Sequence, residues 1–112
     1  MVKQITSLIQ EGEESFLMIS QGEYYVQLTV SDNGKKIAAV AVSNAHLLPN
    51  DRLQPDQLAQ ITALGFTEEP KTKNYLFTSG SKPEELKNFA QKLLEIFKIY
   101  KVNLAKLEFD LS

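Results

Sequence analysis

The sequence contains no cysteine, no tryptophan and a single histidine, His46, among its 112 residues. Without cysteine there are no disulfides, no thiolate zinc or iron–sulfur ligands and no cysteine nucleophile. That suits a reducing compartment, and a cytoplasmic location is expected. One histidine gives neither a histidine pair for a metal nor a spare imidazole for a triad, so no metal and no cofactor are expected. The five glycines, at positions 12, 22, 34, 65 and 80, stand singly, which excludes phosphate-binding and dinucleotide-binding loops. Long hydrophobic runs are missing as well. No apolar stretch approaches the 18 or so residues a spanning helix needs. The amino terminus meets polar Thr6, Ser7 and Gln10 where a secretory leader would stay apolar. Nor is there an excess of basic charge: a net charge of -2 and a pI near 5.4 supply no broad basic face. Neither a membrane nor a nucleic acid is an expected partner.

What is present is ordinary globular composition, 43% hydrophobic and 23% charged, at a length that suits one domain over residues 1–112. Val2, Ile5, Leu8 and Ile9 recur at helical spacing up to Gly12. Phe16 to Ile19 is an unbroken apolar run, which predicts a strand covered on both faces. Tyr24, Val26, Leu28 and Val30 alternate with Tyr25, Gln27 and Thr29, the period-two pattern of a strand with one better-buried face. Asp32-Asn33-Gly34 tolerates the positive φ of a tight hairpin. Ile37 to Val42 makes the return strand, and its alanines at 38, 39 and 41 leave room for something bulky across the sheet. Pro55 and Asp56 open a second helix, with Leu58, Ile61 and Leu64 inward and Gly65 at its left-handed end.

A strand over Asn74 to Thr78 follows. Ser81 and Glu84 have capping-box spacing before a long helix to Tyr100, with Leu86, Phe89, Ala90, Leu93, Phe97 and Tyr100 on one stripe. Ala105, Leu107, Phe109 and Leu111 then alternate with Lys106, Glu108 and Asp110, which predicts a strand with one wet face. The order is helix, three-stranded antiparallel meander, helix, strand, long helix, strand. It predicts an α+β sandwich with the long helix on one face of the sheet.

Catalytic signals are sparse. His46 has Ser43, Asn44, Asn50 and Asp51 nearby in sequence, but no motif frames it, and a half-exposed loop histidine is the expected state. The alternative reading is a small enzyme or small-molecule-binding protein with a pocket near His46. Glu11, Glu13 and Glu14, and Glu68 with Glu69, fall on turns without the alternating oxygens of a calcium loop. Ser79-Gly80-Ser81 feeds a helix N-terminus, a place for an anion, although a turn and a cap account for it. Tyr24 and Tyr25 point to opposite faces of one strand, so one of them is expected at an exposed or interface position.

Four segments carry a resemblance. Tyr24-Tyr25-Val26-Gln27-Leu28, Ala41-Val42-Ser43-Asn44-Ala45-His46-Leu47, Leu64-Gly65-Phe66 and Asn74-Tyr75-Leu76-Phe77 fall in the order seen in the YbjN-like group. That bacterial group is similar to type III secretion chaperones. The pattern departs at Phe66, where the group favours tryptophan. The resemblance spans about half the chain and implies a helix–sheet–helix fold, dimerisation and capture of an extended partner segment along the sheet. It implies no catalytic residues. It also implies that Tyr24, Val26, Gln27, Ser43 and Asn44 serve the architecture first, with Ser43 and Asn44 shaping the strand exit.

The resulting expectation is a non-enzymatic, chaperone-like module that binds a protein or peptide and pairs as a homodimer. Two strands are candidate pairing edges, the C-terminal one and the one at 37–42, where Ala39 and Ala41 permit close approach. The candidate binding residues are Tyr24, Tyr25, Gln27, Ala39, Ala41 and Asn44.

Overall fold

The computed structural model describes residues 1–112. In chain order the elements are α1 (Val2–Glu11), β1 (Phe16–Gln21), β2 (Tyr24–Ser31), β3 (Lys36–Ala41) and α2 (Pro55–Ala63). Then come β4 (Thr67–Glu68), β5 (Tyr75–Gly80), α3 (Pro83–Ile99) and β6 (Glu108–Leu111). Short 3₁₀ turns occupy Asn44–His46, Pro49–Asp51 and Leu104–Lys106. The strands form one antiparallel sheet in the order β4-β5-β3-β2-β1-β6. This is the expected α+β architecture.

The hairpin between β2 and β3 turns through three consecutive positive-φ residues, Asp32, Asn33 and Gly34, types that tolerate that region. Helix α3 has a topological task. It leaves β5 and must deliver β6 beside β1, four strand spacings away in the sheet, or roughly 19 Å. Its 17 residues reach about 25 Å at the α-helical rise, enough for the crossing. The stripe read from the sequence, Leu86, Phe89, Ala90, Leu93, Phe97 and Tyr100, is buried throughout. It joins Ile5 and Leu8 of α1 and Leu17, Ile19, Val26, Leu28, Val30, Ile37, Ala39 and Ala41 of the sheet in one apolar core.

Several expectations are corrected. The run Phe16 to Ile19 is not covered on both faces: Leu17 and Ile19 are buried, whereas Phe16 and Met18 stay half-exposed. The strand at 37–42 is no edge, because β3 lies between β2 and β5, and Ala39 and Ala41 are wholly buried on its core side. The long helix begins one residue later than read, with Glu85 rather than Glu84 accepting from the Lys82 N–H, at 3.2 Å. The C-terminal alternation is a 3₁₀ turn followed by a four-residue strand. Its apolar side is not buried either, since Phe109 and Leu111 are 37% and 39% exposed. The cause is geometric: α1 packs on β1 and β2, and β6 lies outside them. Strand β4, only two exposed residues long, carries no periodic signal in the sequence.

Candidate functional site

Helices α1 and α3 pack against the sheet and against each other, so they share one face. Alternation along the strands then assigns the other face. It bears Phe16, Met18 and Ser20 of β1, Tyr25, Gln27 and Thr29 of β2, Ala38 and Val40 of β3, and Leu76 and Thr78 of β5. None of these ten residues is buried. The central row runs Asp110, Met18, Gln27, Val40, Leu76, Thr67 through directly opposed partners. Antiparallel sheets commonly leave one face to water, and that face is then polar. Here Phe16, Met18, Val40 and Leu76 place four large apolar side chains on it, with Gln27 as a hydrogen-bonding side chain between the two pairs.

One end of this face is built by polar side chains acting on backbone. Asn44 accepts from the Leu53 N–H at 2.6 Å and donates to the Leu53 carbonyl at 3.1 Å, closing the loop after β3. Ser43 Oγ accepts from the Ala45 N–H, while its own N–H donates to Asn74 Oδ1 at 3.0 Å. Asn74 in turn donates to the Tyr25 hydroxyl at 3.3 Å. Glu69 accepts from the Thr72 N–H, the Thr72 hydroxyl and the Lys71 N–H, and these contacts, the Thr72 N–H foremost, hold its carboxyl below the usual range. On the covered side, Tyr24 stacks on Tyr100 at 5.0 Å and donates to the Asp51 carbonyl at 2.6 Å. Burial raises the Tyr24 phenol above its ordinary pKa, and Asp51 adds to the shift.

The candidate residues therefore separate. Tyr25 and Gln27 lie on the helix-free face. Tyr24, Ala39 and Ala41 lie on the covered face, and the two alanines have no exposed surface in this chain. Asn44 is committed to the loop. The pocket imagined near His46 is not found there: His46 is exposed, with Nε2 2.6 Å from the Thr72 carbonyl oxygen. The depression in the surface, of about 460 Å³, opens at the opposite end of the sheet, around Ser31, Lys36 and Gly80. Phe16, Met18, Val40 and Leu76 were absent from the candidates. Their signal is apolar residues at both parities of β1, β3 and β5, which for β1 alone gives the expectation of two covered faces.

Such a face offers apolar side chains with the polar side chains of Gln27, Thr29 and Thr78 among them, a surface on which an extended chain can lie. Among known families, the model described as TY-Chap3, T3SS (YopN, CesT) and YbjN peptide-binding chaperone 3, matches residues 2–106. No curated protein and no solved structure matches the chain.

Proposed function

This chain belongs to the TY-Chap3 peptide-binding chaperone family, and we propose that it is a single non-enzymatic module binding an extended peptide on its helix-free sheet face. The observation that carries the reading is the apolar character of that face: Phe16, Met18, Val40 and Leu76 sit where an open antiparallel sheet is ordinarily polar. A peptide with alternating apolar side chains covers them, and Gln27 is placed to bond its backbone. Absence of cysteine accords with work in the cytoplasm.

The test is a fluorescence anisotropy titration with a labelled peptide alternating valine and threonine. We expect micromolar binding, weakened at least about tenfold (about 1.4 kcal/mol) in Val40→Glu. The melting temperature of that variant should stay close to the parent's, because position 40 is already part-exposed. Parental affinity in folded Val40→Glu would show that the peptide goes elsewhere.

Self-association is the second part of the proposal. Strand β6 forms one margin of the sheet, with no strand beyond it. Phe109 and Leu111 overhang the helices on its apolar side. An unpaired edge beside exposed apolar side chains favours twofold pairing with a second copy. Sedimentation equilibrium at micromolar concentration should give twice the chain mass of 12.6 kDa. Leu111→Glu should return it to the single-chain value without unfolding. A parent that sediments as one chain would refute the dimer.

A further inference from the structure

The helix-free face is not uniform in charge. At the hairpin end, Ser31 of β2, Lys36 of β3 and Gly80 of β5 stand in one row, and Ala38 and Thr78 stand in the next. These residues and Lys35 surround the depression of about 460 Å³, so the hollow is a continuation of the face rather than a separate cavity. Lys35 and Lys36 are both exposed. Neither ammonium has an ion-pair partner, the chain's one ion pair being Lys98 with Glu95 at 3.3 Å. Other lysines are differently placed: Lys92 donates to the Leu64 carbonyl and lies 5.0 Å from the Phe77 ring centroid. Asp32 also borders the hollow, and the Glu85 carboxylate lies beside Gly80 at its edge, where it accepts from the Lys82 N–H. At the far margin of the same face the charges are reversed, with exposed Glu108 and Asp110 on β6.

The hollow is open laterally. Strand β4 pairs only with Tyr75 and Leu76, leaving Phe77–Gly80 of β5 with no strand on their outer side. A chain lying on the face can therefore continue past Thr78 and Gly80 without meeting a wall.

We propose that this hollow receives a glutamate or aspartate side chain of the bound peptide, its carboxylate paired with Lys35 and Lys36. The inference rests on the peptide-binding reading above and refines it. Apolar residues cover Val40 and Leu76, and an acidic residue sits at the hairpin end. An acidic residue at the other margin meets Glu108 and Asp110 and is repelled, so the charge pattern also orients the segment. The partner class is then an extended segment, apolar in alternation and acidic at one end.

Three labelled peptides test this, each an alternating valine–threonine segment ending in two glutamates, two glutamines or two lysines. At low salt the glutamate peptide should bind roughly fivefold more tightly than the glutamine peptide, a factor in keeping with exposed charge pairs. At about 1 M salt, where the Debye length falls to about 3 Å, the two affinities should converge. In Lys35→Glu/Lys36→Glu the order should invert, the lysine peptide binding best and the glutamate peptide worst. Equal binding of the glutamate and glutamine peptides to the parent would overturn the acidic preference while leaving the face as the binding site. Binding of none of the three would overturn both. If the glutamate preference survived in the double variant, the carboxylate would lie elsewhere, and that too would overturn the proposal.

Discussion

Glutamate in place of Ala39 or Ala41 should unfold the chain, whereas glutamate at Val40 between them should leave it folded. Ala39 and Ala41 have no exposed surface and lie on the core side of a strand paired on both edges. The new carboxylate has neither water nor a cationic partner there. The pKa shift that would neutralise it in the folded state is itself a loss of stability. An uncompensated charge at such a site costs about 3–5 kcal/mol before the extra volume is counted, against a total stability of roughly 5–15 kcal/mol for a small fold. Far-ultraviolet circular dichroism and urea midpoints should show a largely unfolded Ala39→Glu beside a near-parental Val40→Glu. Parental stability in Ala39→Glu would mean that the covered and helix-free faces are assigned the wrong way round.

The second large effect is at alkaline pH and belongs to Tyr100. Its side chain is 3% exposed and its hydroxyl donates to the Val42 carbonyl at 2.7 Å. Burial pushes the phenol far above its ordinary value, and the neighbouring Tyr75, Tyr25 and Tyr24 push the same way. The unfolded chain loses this proton near pH 10 and the folded chain does not. Stability from Tyr100 is therefore complete below pH 10 and falls by about 1.4 kcal/mol for each pH unit above it. Melting temperatures between pH 8 and pH 12 should drop steeply past pH 10. Tyr100→Phe should start about 1–2 kcal/mol less stable at neutral pH, because the Val42 carbonyl loses its donor. It should then decline less steeply. Tyr24 and Tyr75 are also raised by burial, helped by Asp51 and Glu68 respectively, and they supply the slope that remains. An alkaline limb as steep in Tyr100→Phe as in the parent would place the titrating groups elsewhere.

Much of the candidate site was present in the sequence in ambiguous form. The place of Ser43 and Asn44 at the exit from β3, which the resemblance implied, is seen in the structure: Ser43 caps the Ala45 N–H two residues on, and Asn44 closes on Leu53 nine residues on. The partner of that motif, Asn74, lies 31 positions from Ser43, and nothing local signals their contact. Met18, Val40 and Leu76 are apolar whether their face is covered by helix or left for a ligand. Composition cannot separate those cases, since both ask for the same transfer of apolar surface out of water.

The sequence by itself determined which segments become strands and helices wherever a clean period operated. The α3 stripe and the β2 alternation read correctly because helical and extended backbones impose 3.6-residue and two-residue repeats on any chain that buries one side. It also determined the turn at Asp32-Asn33-Gly34, where local sterics select the residues. The tertiary structure alone decided strand order. Placing β3 inside the sheet made buried core of Ala39 and Ala41, and carrying α3 across to β6 left Phe109 and Leu111 overhanging. It alone decided, too, that both covering helices fall on one face, which leaves Phe16, Met18, Val40 and Leu76 in the open. Periodicity reports that a strand has two sides; which side is covered depends on where distant elements pack, and that is set by the whole chain at once.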